Sequence, residues 1–176
     1  MNAYFCRMWT LLKPNPPRDE ILDKALLHLA SEGIALRTAL IQWLDSFNDW
    51  LSLDSARKED ARSTLANIYF HAISIYLSGI FDYRHQFNEF LSAALPLEDI
   101  RAHVCGILQS TEVALRTTNL AGILFFFPLR VAGARARCSE QRTAILAMLD
   151  RISERSFMVA HAFSDDLRAL WSNARS

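Results

Sequence analysis

At 176 residues, 51% of them hydrophobic, the chain has the length and apolar content of one domain with a sizeable core. Lys plus Arg and Asp plus Glu each total 19, so no net field draws it to nucleic acid or to an anionic membrane surface. Cys6, Cys105 and Cys138 are odd in number and far apart; they fit neither a disulfide framework nor the paired spacing of a zinc site, and they read as packing residues in a reducing compartment.

The opening MNAYFCRMWTLLKPNPP carries an apolar patch that Arg7 interrupts, with no small-residue cleavage site after it. Residues 1–17 are therefore expected to be a docking segment with Phe5, Trp9 and Leu12 as apolar contacts, and residues 18–176 a single all-helical domain. Pro17 suits a first helical position, and Arg18, Asp19 and Glu20 open a long pattern with acids near the positive end of the helix dipole. Ile21, Leu22, Ala25, Leu26 and Leu29 recur at helical spacing, and Leu36, Leu40, Trp43, Leu44, Phe47 and Leu51 continue it after Gly33. Gly33 marks either a break between two helices or a weak spot in one.

Asp54 or Ser55 is the expected N-cap of the next helix, whose charged first turns give way to Leu65, Ile68, Tyr69, Ala72, Ile73, Tyr76, Leu77, Ile80 and Phe81. A connection over 82–96 carries Phe87, Phe90 and Leu91, and Pro96 opens a helix to about Thr117 with Glu98 and Asp99 in its first turn. Asn119 is expected to cap a fifth helix through Leu120, Ile123, Leu124 and Phe127, kinked at Pro128, which lacks the N–H the ladder needs. Ser139 and Glu140 start a sixth with Ile145, Leu146, Leu149 and Ile152, and 157–171 give a seventh with Val159, Phe163, Leu167 and Leu170. No stretch alternates with period two, so the expected fold is all-α, an irregular bundle of about seven helices. The run Leu120 to Leu129 is about half of the roughly 20 residues a membrane-spanning helix needs, and no membrane partner is expected.

One polar line stands out. Asn67, His71, Ser74, Ser78 and Asp82 recur every three or four residues on an apolar segment and would share one face. It reads either as a small pocket in which His71 acts as acid or base, Ser74, Ser78 and Asp82 assisting and Tyr69 and Tyr76 beside it, or as small polar groups satisfied by neighbours within a packed helix. His161 and Asp165, four apart, read as an oriented imidazole, as two metal ligands or as a surface ion pair, and two ligands alone do not make a metal site. His28, His85 and His103 show no paired acidic or cysteine spacing of the kind a zinc enzyme displays, so no metal and no cofactor is called for. Arg130, after three phenylalanines and Pro128 and ahead of Arg135 and Arg137, reads either as an anion-binding residue or as a buried structural charge paired with an acid of another helix. No phosphate loop and no nucleophile elbow is present.

The segment YFHAISIYLSGIFDY from Tyr69 to Tyr83, FFPLRVAGARAR from Phe126 to Arg137, and the following SEQRTAILAMLDRISERSFMVAHAFSDDLRALW resemble the C-terminal part of the regulatory domain of fungal-specific transcription factors. The resemblance covers roughly residues 55–172. That family joins a zinc binuclear-cluster DNA-binding module to a long helical domain. The chain departs from it in having three scattered cysteines and no basic segment near its start, so the metal-binding cysteines carry over to no position here. The resemblance implies a transcription-regulator-like helical domain without its own DNA-reading module. It would act through protein contacts or ligand sensing on a metabolic gene cluster, in the nucleus or cytoplasm, through a protein partner such as a DNA-binding transcription factor and without touching nucleic acid itself. Two other readings stay open: a small helical enzyme or small-molecule binding protein of fungal secondary metabolism built around His71, and a scaffold or homo-oligomerisation module.

Overall fold

The computed structural model describes residues 20–87, 91–155 and 157–173. The expected docking segment over 1–17, Cys6 and Phe90 lie outside them. Seven α-helices make up the described chain: α1 (Glu20–Ser52), α2 (Ser55–Glu59), α3 (Ala61–Asp82), α4 (Leu97–Thr117), α5 (Phe126–Arg135), α6 (Ser139–Glu154) and α7 (Val159–Asn173). Two 3-10 segments, His85–Phe87 and Gly122–Phe125, complete it, and no strand occurs among the described residues. The fold is all-α, as the helical periodicity predicts.

Among the described residues the chain divides into two compact units, the first within residues 20–42 and 77–94, the second within 43–76 and 95–173. The division falls within α1 and within α3. In the first unit, Leu26, Leu29 and Ala30 of α1 pack with Leu77, Ile80 and Phe81 of α3 and with Phe87 and Ala93. Phe87 meets Phe81 edge-on at 4.9 Å, and the Arg37 guanidinium donates to the Ala93 carbonyl at 2.6 Å, which ties the connection to α1. Gly33 lies on the buried side of α1 and does not interrupt it, so of the two readings of that glycine the weak spot within one helix is the one found.

In the second unit the helices pack as an irregular bundle around a larger core. Helix α4 contributes the stripe Ile100, Val104, Ile107, Thr111, Ala114 and Leu115, α6 contributes Ile145, Met148, Leu149 and Ile152, and α7 contributes Ala160, Ser164, Leu167 and Trp171. These steps of three and four residues place each set on one helical face, and each large side chain so buried contributes about 1.5–3 kcal/mol. Helices α5 and α7 approach closely because residue 133 has no side chain: a Cβ there would stand 2.5 Å from Leu167 Cδ2. The Trp171 indole N–H then donates to the Gly133 carbonyl at 2.9 Å.

Two expectations are corrected. Asp54 does cap a helix, its carboxylate accepting from the Ala56 N–H at 3.0 Å, but that helix is only α2, and the long α3 starts at Ala61 after an extended Asp60. The fifth helix is not capped by Asn119 and not kinked at Pro128. Thr118 Oγ1 accepts from the Leu120 N–H at 3.3 Å, the 3-10 turn over 122–125 follows, and α5 begins at Phe126. Pro128 therefore sits in the first turn of α5, where a helical N–H has no intrahelical acceptor and its loss costs nothing.

Ala61–Asp82 is long and apolar enough to cross a membrane, which the sequence reading assigned to no segment, and half of its most apolar window is buried inside the fold. That burial is the ordinary condition of a core helix, packed on more than one side.

Candidate functional site

The polar line on α3 resolves into two separate local arrangements. In the first unit Ser78 and Asp82 pair along the helix, the Ser78 hydroxyl donating to Asp82 Oδ2 at 2.8 Å, with Ser78 fully buried and Asp82 exposed. In the second unit His71 turns towards α4 and meets His103: the two Nδ1 atoms are 2.8 Å apart. Ser74, one turn beyond His71, is buried, and Asn67, one turn before it, is partly buried.

The His71–His103 contact exists because position 106 is glycine. A Cβ there would stand 2.5 Å from His71 Nε2, so only a bare backbone on α4 leaves room for the ring. Phe70 closes the arrangement by meeting both imidazoles edge-on, at centroid separations of 5.3 and 5.7 Å. Burial disfavours the charged imidazolium and pushes the His71 pKa below its ordinary value. Nothing in the spacing of residues 71 and 103 announces this pair; the signal is tertiary.

From Phe70 an aromatic row runs outward along α1. Trp43 stacks on Phe70 at 6.2 Å and on Phe47 at 4.9 Å, and Phe47 stacks on Trp50 at 5.9 Å. The three α1 rings follow each other at spacings of four and three residues, which places them on one helical stripe. The Arg57 guanidinium ends the row, 4.7 Å from the centre of Trp50 and donating to the Trp50 carbonyl at 3.0 Å. Trp43 and Trp50 are 41% and 42% exposed, so two large rings are held in fixed orientation at the surface.

The remaining candidates take structural partners. Tyr69 donates its hydroxyl to the Leu124 carbonyl at 3.0 Å, and burial raises its pKa. Tyr69 and the exposed Tyr76 flank Phe127 at 5.9 and 5.8 Å. Arg130 pairs through Nε with Asp166 of α7 at 2.6 Å; the acid from another helix is there, but the pair is part-exposed and not buried. His161 bonds to Ser153 at 2.7 Å, while Asp165 pairs with Arg168 at 3.0 Å, so neither of that couple is held by the other. His28 lies 3.6 Å from Glu32 one turn along α1. Cys105 and Cys138, read as packing residues, are exposed thiols.

No group of three or more His, Cys, Asp or Glu residues placed to hold a metal occurs among the described residues. The chain matches no protein-family model, no curated protein and no solved structure.

Proposed function

We propose that the chain is a regulatory helical module that works through protein contacts, a transcription-regulator-like domain that reaches its genes through a DNA-binding partner. The observation that carries this reading is the stacked row of Trp43, Phe47 and Trp50. Large rigid rings, pre-ordered by stacking and open to solvent, are what interface anchors are made of, since they bring area at little entropic cost. The resemblance of residues 55–172 to the regulatory domain of fungal transcription factors supports the same reading, as does a balanced net charge that gives no pull towards nucleic acid.

The His71–His103 contact favours a second reading, a small helical enzyme or small-molecule binding protein in which the paired imidazoles exchange protons with a substrate. One experiment separates the two: transcripts and metabolites compared between the source organism and a strain lacking the gene. A set of transcripts falling together is the expected result. One accumulating intermediate with unchanged transcripts would overturn the regulator reading in favour of the second.

A further inference from the structure

We propose that His71 and His103 form a one-proton contact joining α3 to α4, closed while the pair holds no more than one positive charge and opened when acid adds a second. The rings meet head-on. Their centroids are 5.1 Å apart, which exceeds the 2.8 Å Nδ1 separation by one ring diameter, so each Nδ1 points along the line at the other. Two lone pairs converging on a shared metal ion would bring the centroids nearer for the same nitrogen separation; the head-on approach is that of an N–H···N hydrogen bond, with one ring donating and the other accepting.

The geometry distinguishes the two partners. His71 is the more constrained, with the bare Gly106 backbone against its Nε2 edge, and burial disfavours its charged form. In this scheme His71 is the acceptor, neutral, with its own proton on Nε2. His103 is the donor and takes the first added proton, which strengthens the bond by making it charge-assisted. The second proton has only His71 Nδ1 to occupy. Two N–H groups of like charge would then face each other at 2.8 Å, and the contact parts. Asn67 and Ser74 lie one turn to either side of His71 on α3, Asp99 lies one turn before His103 on α4, and Trp43 of α1 stacks on Phe70. The titratable members of this set are the two histidines and Asp99, and a carboxylate one turn from His103 on the same helix favours placing the first proton there. Phe70 also stacks on Trp43, so opening reaches the inner end of the aromatic row, whether or not that row is a contact surface.

The test is an NMR titration of the intact chain from about pH 8 to pH 4, following the imidazole nitrogens of His71 and His103 together with amide exchange along 104–107. The expected result is that His103 protonates first, that its resonances respond again when His71 protonates, and that exchange along 104–107 accelerates only with the second step. In His103→Gln, which keeps an N–H donor but cannot charge, the His71 midpoint should rise by about one pH unit, the size of a coupled titration. The wild-type double response stands as evidence on its own if that variant fails to fold. Two independent single-step titrations, or a His71 midpoint unmoved in a folded His103→Gln, would overturn the proposal.

Discussion

Gly106 of α4 lies against the His71 ring so closely that any side chain at 106 would meet His71 Nε2 at 2.5 Å. Within a helix, alanine is ordinarily better than glycine by about 0.5–1 kcal/mol. Here the ring is held on its other sides by His103 and Phe70 and cannot step back cheaply. Gly106→Ala is expected to destabilise the chain by about 1–3 kcal/mol, as overpacked sites do, in chemical denaturation. In a His71→Ala background the same change should become neutral or stabilising. Equal effects in both backgrounds would mean that the two positions do not touch.

Thr111 sits on the buried stripe of α4 with no solvent access, and its hydroxyl has no hydrogen-bond partner. A buried hydroxyl without a partner loses its hydration and gains nothing in exchange. Thr111→Val keeps the shape and removes the polar atom, so it should raise stability by about 1 kcal/mol. A loss of stability on that substitution would show that the hydroxyl has a partner after all, such as an internal water.

Arg130 and Asp166 bridge α5 and α7 at 2.6 Å, with side chains 35% and 56% exposed. Solvent screens such a pair, and its contribution should stay below about 1 kcal/mol. Asp166→Asn is expected to shift the denaturation midpoint only slightly, and the shift should shrink further in high salt. A loss of several kcal/mol would instead mark Arg130 as a charge the fold depends on.

Burial lowers the His71 pKa below the ordinary 6.5, so the unfolded chain binds a proton at higher pH than the folded one. Between the two values the unfolded state holds more protons, and stability therefore rises with pH across that window. The contribution is fully present above about pH 6.5 and is lost as pH falls through the folded value. Thermal denaturation at stepped pH should show this fall in the wild type and a flatter profile in His71→Gln. Identical profiles would place His71 in solvent.

The sequence carried the helices well where local chemistry sets their ends. Pro96 with Glu98 and Asp99 behind it marks the start of α4, and Ser139 with Glu140 marks that of α6, where hydrogen bonds from the Glu140 backbone, Cys138 and Ser139 hold the Glu140 carboxylate below its usual pKa. It misled at Pro128, because a proline in the first turn and a proline in mid-helix have the same local signature until the start of the helix is known. The candidate site was half legible. His71 drew notice from its spacing on α3, but His103 lies 32 residues away on α4, and only tertiary packing, with Gly106 making room, brings the rings together. The aromatic row is similar: Trp43 and Phe47 continue the helical spacing of α1, and that Trp43 faces solvent while stacked on its neighbours is a distinction that periodicity does not draw.

The proposed contact with a partner lies on the exposed row of Trp43, Phe47 and Trp50. It is tested most directly by replacing the gene with a Trp50→Ser version and comparing transcripts with those of the wild type and of the deletion strain, protein level being checked by immunoblot. Trp50 is 42% exposed at the outer end of the row, so the change should leave the core and the amount of protein intact. The transcripts lost in the deletion strain are expected to fall in the Trp50→Ser strain as well. A wild-type transcript profile in that strain, alongside an altered one in the deletion strain, would contradict it.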